Sequence, residues 1–396
     1  MTERDIAQKA IDAVLRGTLA FCKFLSANDT GETGGHQSGI YIPKTSVAII
    51  FDEQGEKGAN KDRWAKIEWQ GRKITTDVRF IYYGRGTRDE YRITNFGRGF
   101  PFLRPEYTGA LFVLVKESPD DYEGYVLNSD EEIQQFLDSF SLTPAQTNRL
   151  INTERSGHSK LKDSEVERFI GSLKGEFPSS DVLAKASHQL VYRSLPAKNL
   201  LISDPDRILL EWTEEEFVLF QAIEDTFYGE RVREGFASVG EFVVLANKIL
   251  NRRKSRAGKS LEHHLAAIFD GNEIRYTAQA TTEGNKKPDF LFPSEEDYHN
   301  LLFPVEKLCS LAAKTTCKDR WRQILNEGNR FRDRYKYLCT LQQGISVAQM
   351  DEMEAEKVIL VVPRPYIPAY PKERRNRIWT IARFISFIRE MEGSDG

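Results

Sequence analysis

Residues 31–125 are cut by glycine-rich turns into short runs of β-branched and aromatic residues, among them 46–51, 78–83 and 110–115. Strands this short and closely spaced suit a small barrel or sandwich. The texture then changes. Helical periodicity dominates residues 215–250, and a helix, strand, strand, helix order over 261–329 reads as α/β. With 396 residues, the chain is longer than the roughly 250–300 residues at which one hydrophobic core stops growing, so two domains are expected. Between Asn152 and Pro178 the sequence turns polar and charged. The expected division is an N-terminal domain over 1–155, a linker over 156–178 and a second domain over 179–396.

Ile6, Ala10, Ile11, Val14, Leu15 and Leu19 recur with helical spacing and predict an amphipathic first helix that packs its apolar stripe on the β-rich part of the chain. The net charge of -3 argues against a protein that coats DNA through bulk charge, so any nucleic-acid contact must come from local patches. Cys22, Cys309, Cys317 and Cys339 form no CxxC pair, which speaks against structural zinc and fits free thiols in a reducing cytoplasm. Charged residues interrupt the first 27 positions, and no stretch reaches about 18 uncharged apolar residues, so a soluble intracellular protein with no membrane partner is expected.

The chemistry concentrates between Lys286 and Glu327. Asp289 follows Pro288 and opens the apolar run Phe290-Leu291-Phe292, as a carboxylate at the end of a buried strand would. Taken alone, a Pro-Asp dipeptide reads as a turn aspartate. Lys314 ends a second apolar run, 308–313, where an amine can orient water or stabilise a pentacovalent phosphate. Nucleases of this pattern carry an acid two residues before that lysine, yet Ala312 stands there. Residues 318–329 look helical, and 320, 323, 324 and 327 share a helical face, so Glu327 can supply the missing acid. Glu262, at the edge of the stripe Leu261, Leu265, Ile268 and Phe269, is a third acid, equally readable as a solvated glutamate. Asp289 and Glu327 would hold a divalent ion, and an oxygen-rich site of this kind suits Mg²⁺ and metal-assisted phosphodiester hydrolysis.

Base-reading groups lie next to the lysine. Lys318 and Arg320 can donate to guanine O6 and N7 while Asp319 accepts from cytosine N4. Arg252, Arg253 and Arg256, with Lys254 and Lys259, form a patch without acids that suits the phosphate backbone, or a plain basic helix flank. Arg85, Arg88, Arg92, Arg98 and Arg104 gather in the β-rich half, where an arginine-lined surface could enter a groove.

In residues 251–262, 282–293 and 314–327 the chain closely resembles the EcoRII family of restriction endonucleases. The resemblance extends to 25–31, 34–37, 92–94 and 97–99, and is poor over roughly 120–210. It implies a C-terminal PD-(D/E)xK-type nuclease domain with a central mixed sheet that dimerises, and an N-terminal pseudobarrel similar to the DNA-binding domain of plant transcription factors. That pseudobarrel would bind a second target copy as effector and otherwise occlude the cleavage site. Carried over, the resemblance makes Asp289, Lys314 and Glu327 catalytic with Glu262 and Tyr298 nearby, assigns Lys318, Asp319 and Arg320 to base reading, and assigns His36, Tyr41, Arg88, Glu90 and Arg92 to effector DNA. Gly86 and Tyr91 depart from it, since the relative carries lysines there. The implied activity is cleavage of duplex DNA at CCWGG before the first C, by a prokaryotic cytoplasmic homodimer paired with a cognate DNA methyltransferase. A DNA-binding regulator without cleavage and a structure-specific repair nuclease are the rival functions.

Overall fold

The computed structural model describes residues 5–33, 39–71, 74–151, 163–194 and 197–393. The predicted first helix, α1 (Ile6–Arg16), is capped by the Asp5 side chain and buries Ala7, Ala10, Ile11, Ala13 and Val14. It stops before the full stripe is used. Leu15 is 67% exposed, and Leu19 instead opens β1 (Leu19–Phe24). The next strands are β2 (Ile40–Ile42), β3 (Lys61–Trp69), β4 (Ile74–Tyr83), β5 (Glu90–Thr94), β6 (Leu111–Lys116), β7 (Asp121–Leu127) and, after helix α2 (Asp130–Ser139), β8 (Arg149–Ile151). They form one eight-stranded sheet in the order β2-β5-β4-β3-β7-β6-β1-β8. All its pairings are antiparallel except β3 with β7.

Strand alternation divides this sheet into two cores. Phe21, Ile67, Trp69, Phe80, Phe112 and Leu114 point into one, while Cys22, Val113, Val115, Tyr125 and Leu127 meet α1 and α2 on the other. The stretch 46–51, expected as a strand, is corrected by the structure: Lys44–Ile49 is a 3₁₀ helix entered from Pro43. Val47, Ile49, Ile50 and Phe51 are buried in the first core, and a short buried apolar run carries no period that separates strand from helix.

Within the stretch expected as linker, α3 (Asp163–Ser172) packs Val166 with Leu183 and Leu190 of α4 (Ser180–Ser194) and with Leu219 and Ile223. After α5 (Ala197–Ser203) come two long helices, α6 (Pro205–Glu234) and α7 (Val239–Gly271). The last part contains β9 (Thr277–Ala278), β10 (Phe290–Phe292), α8 (Glu295–His299), β11 (Cys309–Lys314), β12 (Lys336–Thr340), α9 (Val347–Ala355), β13 (Val358–Val361) and α10 (Ile381–Gly393). Its sheet runs β13-β12-β11-β10-β9. It is mixed: β11, β12 and β13 are parallel, β9, β10 and β11 antiparallel. Both faces are covered, one by α6, α7 and α10 and the other by α9 with Trp321, Ile324 and Tyr370, which is why its strands read as unbroken apolar runs. The fold is thus a curled N-terminal pseudobarrel joined to a C-terminal α/β domain. No helix among the described residues is long and apolar enough to cross a membrane, and the four cysteines are buried free thiols.

Candidate active site

The antiparallel register of β10 and β11 sets Phe290 opposite Leu311. The residue before β10 therefore lies beside the end of β11, and Asp289 meets Lys314. The Lys314 amine donates to Asp289 Oδ2 at 2.9 Å, and the Ala313 backbone N–H donates to the same oxygen at 2.8 Å. Glu262, on α7, joins from the side: the Gln279 amide donates to Glu262 Oε2 and to Asp289 Oδ1, each at 3.1 Å. Burial raises the Glu262 carboxyl above its ordinary range, and the charge of Asp289 adds to the rise.

Glu327 reaches the same place by a route other than the expected α-helical face. Residues 320–326 form a 3₁₀ helix with Glu327 as its C-cap. At three residues per turn, i and i+3 eclipse, so Trp321, Ile324 and Glu327 form one inward row, the first two buried to 2% and 1% exposure. The expected grouping of 320, 323, 324 and 327 is thereby corrected, although Glu327 still turns inward. Thr282 Oγ1 fastens it by donating to its carbonyl at 2.6 Å. Burial, reinforced by Asp289 and opposed by Lys314, pushes the Glu327 carboxyl up to about 8.

Tyr298 is committed elsewhere. Its buried hydroxyl donates to Glu283 Oε2 at 2.6 Å, and that oxygen also accepts from Asn329 N at 3.0 Å. Tyr298 thus braces the segment that carries Glu327.

The groups expected to read bases face the N-terminal domain. Lys318 is 2% exposed and donates to Thr108 O at 3.3 Å, to Glu106 O at 3.4 Å and to Asn128 Oδ1. Burial pushes its amine down to about 8, with Asp319 and Asp130 opposing the fall. Asp130, first residue of α2, accepts from Asp319 N at 2.6 Å and Arg320 N at 2.8 Å through Oδ2, and its own N–H donates to Asp319 Oδ2 at 3.3 Å. Nearby, a Cβ on Gly109 would collide with Gly344 O, and Gln342 donates to Gly109 O at 2.8 Å. The close approach of the two domains requires glycine there.

The basic run on α7 is likewise occupied. Arg253 grips Glu224 with two bonds at 2.9 and 2.6 Å and donates to Ser139 O. The Arg252 guanidinium lies 4.1 Å from the Phe177 ring centroid. For Arg256 the expectation of a free phosphate contact is corrected: it is 2% exposed, pairs with buried Glu216 at 3.9 Å and donates to Ser141 O at 2.7 Å. The helical period of α7 turns that position toward α6.

On the β2–β5 edge, Tyr41 stands opposite Arg92, and the Arg92 guanidinium bonds Glu90 at 3.2 Å and Gly39 O at 3.3 Å. Arg88 lies over the Tyr83 ring at 5.1 Å. His36 is outside the described residues. Tyr91 alternates to the opposite side of β5, where its ring meets Tyr82 at 4.6 Å and its hydroxyl accepts from Gly55 N at 2.8 Å. Its departure from the family pattern therefore falls inside the core, away from the Glu90–Arg92 face.

Residues 14–144 match the family described as "Restriction endonuclease EcoRII, N-terminal", and residues 220–385 match "EcoRII C terminal". The type II restriction enzyme EcoRII of Escherichia coli is 38% identical over 400 residues, covering 92% of this chain and 93% of the relative. The chain belongs to the EcoRII family. It is a type II restriction endonuclease, a site-specific deoxyribonuclease. Among solved structures, metal-depleted Ecl18kI in complex with uncleaved DNA is similar at TM-score 0.45 and 20% identity, covering 60% of this chain and 87% of the other. A PspGI–substrate DNA complex is similar at TM-score 0.45 and 15% identity, covering 54% and 93%.

Two residues of this EcoRII-family site escape sequence reading, Gln279 and Asp130. Neither belongs to a chemical motif, and only tertiary contact exposes them. Glu327 also carries a stability consequence. A carboxyl raised in the fold makes the folded chain bind its proton more tightly, so its contribution is present below the ordinary 4.5 and is lost as pH rises through about 8. Glu327→Gln removes that loss. Thermal melting should show the variant stabilised by on the order of a few kcal/mol at about pH 9, with little gain at about pH 4, and an equal gain at both would contradict the assignment.

Proposed function

We propose that the protein hydrolyses duplex DNA with Mg²⁺ at a CCWGG-type site, cutting before the first C, and that its N-terminal domain binds a second target copy that relieves occlusion of the first. The observation that carries the nuclease reading is the convergence of Lys314 and Asp289 at 2.9 Å beside a Glu327 whose carboxyl feels both charges. The donor set fits the ion. Among the described residues no group of three or more His, Cys, Asp or Glu is assembled to hold a metal, but Mg²⁺ is commonly held by one or two carboxylates and otherwise by water and substrate phosphate. Asp289 and Glu327 would be those carboxylates. Bound there, the ion would polarise the scissile phosphate and lower the pKa of an attacking water. Lys314 places a fixed cation where negative charge grows on the phosphate. Ala313 N–H holds the Asp289 carboxylate in line.

Occlusion is supported by the Lys318 amine, the Asp319 carboxylate and the backbone N–H groups of Asp319 and Arg320 being engaged by residues 106–130 of the N-terminal domain. The effector face is read from Tyr41 and Glu90 on one side of the β2–β5 edge, where Arg92, only 5% exposed, is bonded to Glu90 and would have to be released to meet DNA. A homodimer is inferred from the two-fold symmetry of the target, since two related active sites cut its two strands. An apolar surface suits it: Val239, Phe242, Val243 and Val244, at the start of α7, are 79, 52, 46 and 71% exposed. Phe242→Glu with Val243→Glu should sediment as a monomer and nick one strand, and a persistent dimer would overturn this surface. Cytoplasmic action beside a cognate DNA methyltransferase completes the reading.

The test is digestion of a plasmid carrying two CCWGG sites with the full-length protein and Mg²⁺, followed by sequencing of the ends. Ends mapping before the first C are expected. An uncut plasmid, or cuts confined to branched or mismatched DNA, would refute the assignment.

A further inference from the structure

Gln279 follows β9 with φ of 51°, in the left-handed region that side chains other than Gly, Asn and Asp seldom enter. Its backbone N–H donates to Asp289 O at 3.1 Å. Its side-chain amide has two hydrogens to give, and both go to acids: Asp289 Oδ1 and Glu262 Oε2, each at 3.1 Å. Strained backbone at a functional site persists only where surrounding contacts hold it, and here those contacts lead to Asp289, a candidate metal-binding carboxylate, and to Glu262 beside it.

We propose that Gln279 is a positioning residue that fixes Asp289 and Glu262 relative to each other before a divalent cation arrives. The inference rests on the nuclease reading above. Among the described residues, Asp289 is otherwise held on one side only, its Oδ2 taking the Ala313 N–H and the Lys314 amine. Among the described residues, the other partner of Glu262 is the exposed Lys259 amine, at 3.2 Å. Without the amide, the oxygens of Asp289 and Glu262 that face each other lose their shared donor, and mutual repulsion drives Glu262 toward Lys259 and solvent. A neutral donor suits the task, because it bridges both acids without supplying the positive charge that a cation must bring. An ammonium at this position would satisfy the acids and compete with the ion. The same loop secures the third acid through Thr282, which bonds Glu327 O at 2.6 Å, and Glu283, which holds Tyr298 and Asn329 N.

The test compares the full-length protein with Gln279→Gly and Gln279→Asn. Glycine keeps the left-handed backbone without strain and removes the amide; asparagine tolerates the backbone and keeps a shorter amide. Free Mn²⁺ is followed by electron paramagnetic resonance during titration, alongside plasmid cleavage across Mg²⁺ concentrations and thermal melting without metal. Loss of a partner that orients metal ligands typically costs roughly 10–100-fold in metal affinity. Gln279→Gly should weaken Mn²⁺ binding and raise the Mg²⁺ needed for half-maximal cleavage by about that factor, with melting at or above the wild-type temperature, and Gln279→Asn should recover part of the loss. Unchanged metal dependence in Gln279→Gly, where the wild type binds Mn²⁺ and cleaves, overturns the inference alone. A wild type that neither binds Mn²⁺ nor cleaves overturns the nuclease reading and the inference with it.

Discussion

Lys314→Ala should lower Mg²⁺-dependent plasmid cleavage by roughly 10²–10³-fold, the cost typical of removing one fixed donor from developing transition-state charge, while gel-shift binding to the target duplex stays intact. The separation of effects follows from the position of the amine. Lys314 ends β11 with its side chain 23% exposed, committed to Asp289 at 2.9 Å. Its amine bonds Asp289, whereas the Lys318–Arg320 segment expected to read bases is bonded to Glu106, Thr108 and Asp130. The substitution leaves Asp289 with Ala313 N–H and Gln279 as partners, so the strand end keeps its shape. It also removes the charge that lowers the Glu327 carboxyl, so the vacated site should hold its proton more firmly. Normal cleavage by this variant would show that the lysine has no part in the chemistry.

Asp130→Ala should raise cleavage of a plasmid with a single CCWGG site by roughly tenfold or more, and leave cleavage of two-site DNA nearly unchanged. Asp130 Oδ2 accepts two backbone bonds across the domain boundary, 2.6 Å from Asp319 N and 2.8 Å from Arg320 N. Bonds to a charged acceptor are worth roughly 1.5–3 kcal/mol each, and about 1.4 kcal/mol shifts an equilibrium tenfold. Losing even one of the two should therefore release a substantial fraction of the molecules from the closed arrangement. Helix α2 itself should survive. Its cap is Ser129, which accepts from Glu132 N at 3.2 Å while Glu132 reciprocates through the Ser129 N–H at 3.3 Å, and Asp130 takes no part in that box. Single-site DNA cut at the wild-type rate would mean that this contact does not restrain the enzyme. Removal of residues up to about Ser180 is the coarser version of the same experiment and should yield a nuclease independent of a second site.

The meeting of Asp289 and Lys314 was legible because Asp289 opens one apolar run and Lys314 ends another, and antiparallel pairing of neighbouring runs joins the start of one to the end of the other. Glu327 was legible as a residue but its route was not: the α-helical and 3₁₀ periods both bring position 327 near the row of 324, and only the structure distinguishes them. The two-domain texture was visible in the change from short β-rich runs to long helical periodicity. The 46–51 segment misled because buried apolar runs of that length suit either structure. Arg256 looked like part of a solvent-facing basic run, since nothing local reports that α6 brings buried Glu216 against it. Gln279 and Asp130 are invisible for a deeper reason. A glutamine carries no preference for left-handed backbone, and an aspartate after Ser129 looks like any acid in the first turn of a helix. Their roles arise from partners 10 and 189 residues away.

The central claim is that Asp289 and Glu327 share one divalent ion beside Lys314. Crystals of the full-length protein with uncleaved CCWGG duplex and Mn²⁺, examined by anomalous scattering, test it most directly. The account predicts a peak bound by the carboxylates of Asp289 and Glu327 and by an oxygen of the scissile phosphate, with the Lys314 amine alongside. A peak held by other residues, or Asp289 and Glu327 turned to separate places around a bound duplex, would contradict it.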